Sequence, residues 1–450
     1  LSGIFKAYDI RGSYPDELNE AKAKTIGAAF VRFLNAHRIV IGHDMRLSSE
    51  SLARAFVEGA RSWGVAVEDI GMVTTPMLYY TISDRGYDGG VMVTASHLPA
   101  GINGFKLCRE QAIPLSGDKG LSVLETMVKQ RTDTKAEGFK HGSYERITML
   151  ERYIDQLCRF VHNPKPLKVV VDAGNGMAGP EVSAIFKGFP VWAFVPLYME
   201  PDGRFPHHIA NPLLVDTTRD LQATVVKEKA DVGIAFDGDA DRCGFIDEKG
   251  ERIPEDLITA LIAEFLLSRE PGATILYDLR SSRIVPETIS RLGGKAIRTR
   301  VGHAFIKAEM RQCNALFAGE LSGHYYYRDM GFTDNAMFTM IQMLNFLSAR
   351  NVPISNLVEP LKKYHSSGEI NMHVQHPKAV FAALEKKYAD AEIEHLDGLT
   401  IEYRSWWFNL RLSNTEPVMR LNLETNTAGM LPEKKQDVID AVGHADTAMV

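Results

Sequence analysis

The run Asp237-Gly-Asp-Ala-Asp-Arg242 sets three carboxylates at alternate positions, directly after the apolar stretch Val232–Phe236. In an extended chain residues two apart share a face, so Asp237, Asp239 and Asp241 are expected to point the same way. Carboxylates that close repel unless a cation lies among them, and an all-oxygen donor set favours Mg²⁺ or Ca²⁺ over zinc. Mg²⁺ takes few carboxylates and commonly a phosphate oxygen as well. An EF-hand loop also fits in part, with Glu248 at its twelfth position, but Arg242 stands where that loop needs glycine. The flanks read as strands, not helices, which favours a strand-end Mg²⁺ site.

A second stretch, Gly90–Lys106, carries a hydroxyl. The apolar Val91-Met92-Val93 gives way to Thr94-Ala95-Ser96-His97, then to Pro99, Gly101, Asn103 and Gly104. That pattern predicts a buried strand feeding a loop, with Ser96 just past the strand's carboxyl end, where α/β sheets place their chemistry. His97 is adjacent, and Lys106 is expected further along the same loop. A serine hydroxyl is a weak nucleophile unless something takes its proton or stabilises the product. A polar turn satisfying its own backbone accounts equally well for the dipeptide alone.

Three further segments hold polar groups at strand ends. In Arg411-Leu-Ser-Asn-Thr-Glu-Pro-Val-Met-Arg420, Ser413, Asn414 and Thr415 form a donor-rich turn bracketed by Arg411 and Arg420. Guanidinium forks, hydroxyls and turn amides make a phosphate clamp; a hairpin with surface arginines is the plain alternative. Gly319-Glu-Leu-Ser-Gly-His324 puts Glu320 and Ser322 on one side, suited to sugar hydroxyls, with His324 able to pass protons near neutral pH. Val301-Gly-His303 supplies another polar strand end. Tyr8-Asp-Ile-Arg-Gly12 and Gly42-His-Asp-Met-Arg-Leu-Ser48 are arginine-bearing loops. Their arginines either fix a turn through an Asp–Arg pair or, for Arg11, reach a phosphoryl group.

The elements that must position these groups alternate. Strands at Arg38–Gly42, Val65–Ile70 and Gly90–Val93 interleave with helices at Glu20–Asn35, Ser49–Trp63 and Pro76–Ser83. The order repeats through residues 167–236 and 255–347, which predicts three similar α/β domains with mostly parallel sheets. Clustered strands at Gly368–Val374, Leu399–Tyr403, Trp406–Leu412 and Val418–Leu423, flanked by helices, predict a smaller α+β domain at the end. Boundaries are expected at 1–142, 143–250, 251–362 and 363–450. The chain has 450 residues, 45% hydrophobic and 24% charged, ample for several cores. Its net charge of -6 gives no reason to expect nucleic acid or an acidic membrane as partner. Four scattered cysteines without a CxxC pair suit reduced thiols. LSGIFKAYDIRG has no signal-peptide core, and Leu257–Leu267 is broken by Glu264, so a cytoplasmic protein without a membrane span is expected.

Together, YDIRG, TASHxPxxxNGxK, DGDADR, GExSGH and RxSNTEPxxR resemble, in that order from Tyr8 to Arg420, the motifs of the α-D-phosphohexomutases, bacterial phosphomannomutase/phosphoglucomutase in particular. The resemblance implies four domains in a heart shape around a central cleft, and interconversion of hexose 1-phosphate and hexose 6-phosphate, with glucose and mannose as sugars. It implies that Ser96 is carried as phosphoserine and that Asp237, Asp239 and Asp241 bind Mg²⁺ together with that phosphate. Glucose 1,6-bisphosphate would be intermediate and activator. By the same resemblance Glu320 and Ser322 read sugar hydroxyls, and Arg411, Ser413, Asn414, Thr415 and Arg420 hold the phosphate not being transferred. Arg11, His97, Lys106, Arg242, His303 and His324 line the reacting centre, and Tyr8 and Arg280 fall at matching places. His324 leads as the base, with Lys106 second. Sugar phosphates are the expected partners, and a monomer the expected state. Leu98 stands where the family usually has asparagine, and Arg280 where close relatives often have lysine, which changes donor geometry. Phosphoglucosamine mutases, which usually carry GTEP in place of Asn414-Thr-Glu-Pro, are the alternative within enzymes. A non-catalytic sugar-phosphate binding protein is the alternative outside them.

Overall fold

The computed structural model describes residues 3–130, 140–413 and 418–447. It holds four sheets, one for each run of elements read above, and three of them share one construction. In the first, the parallel strands Arg38–His43, Ala66–Met72 and Gly89–Val93 are followed by Ile102–Arg109, which returns antiparallel beside Gly89–Val93. In the second, Leu167–Asp172, Trp192–Leu197 and Val232–Phe236 run parallel and Cys243–Ile246 returns beside the last of them. In the third, Thr274–Asp278, Lys295–Thr299 and Phe317–Gly319 do the same, with Tyr325–Tyr327 returning. Each return closes a loop at the carboxyl end of the third strand, and those loops are the serine, aspartate and Glu320–His324 segments. The architecture is α/β with mixed sheets, as the alternation predicts. The antiparallel share is larger than alternation alone suggests, because the returning strands follow polar turns and read as loop.

Lys106 is therefore corrected. It lies on a strand, not in the serine loop, and sits opposite Met92 in the register. The first sheet also takes its edge strand, Tyr144–Arg146, from residues past position 142, where a boundary was expected.

The strands are buried because their apolar runs face helices on both sides; all five residues of Gly89–Val93 and of Val232–Phe236 are buried. The largest apolar cluster runs from Val40 to Leu361, through the helices Thr75–Arg85, Ala178–Gly188, Glu255–Arg269 and Ala336–Arg350. It ties the first three sheets together. The fourth sheet is wholly antiparallel and has its own cluster, Val380 to Val442. Its contacts with the third are charged: Arg283 meets Glu402 at 3.1 Å, and Arg298 meets Glu394 at 2.8 Å. A polar junction between separately cored units is the kind that permits relative motion. The four cysteines are free thiols. Among the described residues no helix is long and apolar enough to cross a membrane.

Candidate active site

The loop from Thr94 to Gly101 is shaped by a buried arginine. All five N–H groups of Arg46 are used: Nε on Asp44 at 3.1 Å, Nη1 on the carbonyls of Pro99 and Ile102, and Nη2 on those of Ser96 and Leu98. Asp44 accepts in turn from Thr94 Oγ1 at 2.7 Å, and Thr94 Oγ1 accepts from the Ser96 amide at 2.9 Å. Both side chains of the Arg46–Asp44 pair are fully buried. Ser96 is held there at φ +53°, left-handed backbone that a non-glycine residue rarely adopts without such support. Position 98 enters through its carbonyl, so leucine in place of asparagine leaves these bonds intact.

The pinned serine faces the aspartate loop. Ser96 Oγ donates to Asp237 Oδ2 at 2.7 Å and lies 3.1 Å from His97 Nδ1. Gly238 lets the loops approach this closely, since a Cβ there would stand 2.4 Å from the Ser96 carbonyl oxygen. Carboxylate oxygens of Asp237, Asp239 and Asp241 lie within 4.8 Å of one another, all buried. They converge, but not by strand alternation. The segment is a tight turn between Val232–Phe236 and Cys243–Ile246, with Ala240 at φ +58°, and the turn curls the side chains inward. Asp239 Oδ1 and Asp241 Oδ1 have no hydrogen-bond partner among the described residues. Buried carboxylate oxygens without partners are costly unless a cation meets them, so this donor set fits a hard divalent ion.

Positive charge surrounds the cluster. Lys106 Nζ bonds Asp239 Oδ2 at 2.6 Å and also Asp241. Burial lowers its pKa, but Asp239, Asp241 and Asp237 outweigh that and hold it above the usual lysine range. Burial and the neighbouring Asp241 and Asp239 push Asp237 well up. Burial also acts upward on Asp241, yet Lys106 and His324 hold it well down. Arg242 Nε is 3.8 Å from Asp237 and 3.9 Å from Asp241. Arg11 pairs with Asp9 at 2.6 Å, the turn-fixing arrangement. With burial and Arg242, its charge keeps His97 well below the ordinary histidine range.

The third loop is stitched to the second by a backbone bridge between Arg242 and His324. His324 Nε2 lies 3.1 Å from Arg242 Nε and 3.4 Å from Asp241 Oδ1. Its Nδ1 lies 2.8 Å from Ser322 Oγ and 3.2 Å from Glu320 Oε2. Neutral, the imidazole accepts at Nε2 from Arg242; charged, it forms an ion pair with Asp241 across 3.4 Å. Burial and Arg242 press its pKa down, while Asp241 and Glu320 outweigh them and hold it up at about 9. Tyr326 donates to Glu320 Oε2 at 2.7 Å. Arg280 is gripped by Asp278 at 2.7 Å and stands 3.7 Å from Glu320. The His303 ring is 6.5 Å from that of His324 and 5.4 Å from that of Tyr8.

Serine, aspartate and histidine loops therefore form one cluster with Lys106, Arg242, Glu320 and Arg280. In the fourth sheet, Arg411 and Arg420 sit opposite each other on adjacent strands, and the Ser413 amide donates to the Val418 carbonyl. Asn414 and Thr415 lie outside the described residues. Thr75, which donates to Asp239 Oδ2 at 2.6 Å, and Tyr326 carried no signal in the sequence. Arg46 stood in a loop already marked as arginine-bearing.

Residues 2–134, 151–250 and 254–364 match the families described as phosphoglucomutase/phosphomannomutase alpha/beta/alpha domains I, II and III. A phosphomannomutase of Escherichia coli is 40% identical over 449 residues, covering 97% of this chain and 98% of that protein. The chain belongs to the α-D-phosphohexomutase family. A protein of Xanthomonas campestris pv. campestris strain B100, described as phosphohexose mutases, is 41% identical over 96% of this chain and 98% of its own. The crystal structure of a phosphoglucomutase/phosphomannomutase family protein from Burkholderia thailandensis matches with a TM-score of 0.91 at 34% identity, covering 98% and 97%. The chain is accordingly a hexose phosphate mutase, an enzyme that shifts a phosphoryl group between two positions of a sugar.

Two tests follow from this geometry. Arg46→Met leaves Asp44 buried without its partner and frees four loop carbonyls. It is expected to cost about 3–5 kcal/mol in denaturant unfolding, with activity falling beyond the loss of folded protein. A cost under about 1 kcal/mol would mean that other contacts shape the serine loop. The folded-state pKa of His324 is raised, so its contribution to stability is full below about pH 6.5 and is lost as pH rises towards about 9. Melting temperature measured with chelator over that window should decline more in the wild type than in His324→Gln; parallel curves would contradict the assignment.

Proposed function

We propose that Ser96 is the phosphoryl carrier of this mutase. The hydrogen bond of 2.7 Å from its hydroxyl to Asp237, within the three-aspartate turn, is the observation that carries the reading. The hydroxyl oxygen of a hexose monophosphate attacks phosphorus on phospho-Ser96, the P–Oγ bond breaks, and the sugar proton passes to a neighbouring base. The product is hexose 1,6-bisphosphate. It turns end for end in the cleft and returns its other phosphoryl group to Ser96, which completes the interconversion of hexose 1-phosphate and hexose 6-phosphate.

Phosphoryl transfer is mostly positioning and charge stabilisation. Asp237, Asp239 and Asp241 are the residues to hold Mg²⁺ beside the serine, where it would neutralise charge on the phosphoryl oxygens. Lys106 and Arg242 add fixed positive charge. Arg11 is assigned to the reacting phosphoryl group once its Asp9 pair is loosened. His324 takes the proton of the sugar hydroxyl in one half-reaction, once its pairing with Asp241 is relieved and the ring is neutral, and gives it back in the other. Glu320 and Ser322 meet sugar hydroxyls, with Tyr326 fixing the Glu320 carboxylate. His303, Tyr8 and Arg280 complete the wall. Arg411, Ser413, Asn414, Thr415 and Arg420 grip the phosphate that does not react. That grip must serve either end of the sugar, so it reads phosphate and not ring carbons. Glucose and mannose are the proposed sugars, in keeping with the relatives and with Asn414.

Ser96→Ala should abolish steady turnover even with glucose 1,6-bisphosphate supplied. The intact mass of the wild type should show one added phosphate that the variant lacks. Near-normal turnover of the variant would refute the assignment. Arg420→Ala should weaken binding of glucose 1-phosphate and mannose 1-phosphate alike, by roughly tenfold or more, while phospho-Ser96 still forms. Undiminished binding would remove the clamp from the mechanism.

A further inference from the structure

Arg411 and Arg420 are directly opposite in the register of Trp406–Leu412 and Met419–Thr425. Like charges in that position repel, so something must compensate them. Compensation comes in part from the next strand, His365–Met372, where the register shifts between Ser366 and Glu369. Glu369 Oε2 lies 3.4 Å from Arg411 Nη2 and Oε1 lies 3.2 Å from Arg420 Nη1. The same Oε2 is 3.2 Å from Arg280 Nη1, which belongs to the third sheet's loop. One carboxylate is thus shared by three guanidinium groups across the charged junction. Burial raises its pKa, but Arg280, Arg420 and Arg411 outweigh that, so it stays ionised.

Accessibility differs among the partners. The Glu369 and Arg420 side chains are 28% and 21% exposed, whereas those of Arg411 and Arg280 are 2% and 8% exposed. The carboxylate is the member that can leave. A phosphate monoester presents guanidinium groups with the same paired anionic oxygens that a carboxylate does.

We propose that Glu369 is a built-in competitor for the phosphate that the arginine clamp takes. It rests on the reading of Arg411 and Arg420 as that clamp. Glu369 holds the two guanidinium groups in place and ties them to Arg280, and a phosphate group must displace it to bind. The cost is the same for substrate, product and bisphosphate. It therefore limits how tightly any of them is held at the distal end, which matters to an enzyme whose intermediate must let go and turn round. Displacement also breaks the Glu369–Arg280 link, so clamp occupancy and the junction between third and fourth sheets are coupled. Glu369 is a positioning residue; it acts through the arginines.

Glu369→Gln keeps length and hydrogen-bonding capacity and removes the charge. The full chain is titrated calorimetrically with inorganic phosphate and with glucose 6-phosphate, and its kcat and KM are measured. Both ligands should bind about tenfold tighter, with KM and kcat falling together as release slows. Equal or weaker binding overturns the proposal. Should that variant fail to fold, Glu369→Asp keeps the charge on a shorter stem and should tighten both ligands roughly threefold; no change or weaker binding overturns it equally. Arg420→Ala run alongside separates the two readings. If it binds inorganic phosphate as the wild type does, the clamp itself is wrong; if it binds more weakly while Glu369→Gln is unchanged, only the competitor is wrong.

Discussion

Three carboxylates packed within 4.8 Å of one another and shut away from water cannot all carry charge unless cations meet them. Most of the local structure follows from that need. Lys106 comes in from one sheet, Arg242 from the turn itself and His324 from a second sheet, each bringing positive charge to the same few oxygens. The fourth sheet has the opposite problem. There two arginines face each other across a strand pair, and Glu369 supplies an anion that both share. Both are charge clusters balanced by neighbouring side chains.

Repetition of one sheet plan delivers these groups. In each of the first three sheets a parallel strand ends, a loop carries the polar residues, and an antiparallel strand returns. Every working loop is thereby anchored on both sides by buried strands, which places side chains better than a loop between helices would. The shared apolar cluster fixes three of these loops relative to one another. The fourth, on its own core, meets them through ion pairs.

Much of the site was legible in the sequence because it lies in contiguous motifs at strand ends. The alternation of apolar runs and helical spacing placed the sheets, and the aspartate spacing pointed to an acidic cluster that could hold a cation. Four things were not legible. The inward curl of Asp237–Asp241 depends on a left-handed Ala240, a backbone state that alanine does not advertise. Lys106 read as loop because Asn103 and Gly104, which precede it, are turn formers; tertiary pairing with Gly89–Val93 made it strand. Arg46 and Thr75 act over 50 and 164 residues of separation, respectively, and no local pattern signals such contacts. Glu369 lay in the predicted strand Gly368–Val374, and nothing local marks it as the partner of Arg280, 89 residues away.

The most direct test uses manganese as a spectroscopic substitute for magnesium. Paramagnetic resonance is recorded on the phosphorylated full chain and on Ser96→Ala. A phosphorus hyperfine coupling to the bound manganese in the phosphorylated protein, absent in the variant and abolished with manganese binding in Asp239→Asn, is the predicted result. Manganese bound at Asp237, Asp239 and Asp241 with no phosphorus coupling would mean that serine and aspartates do not share a cation, and the central assignment would fall.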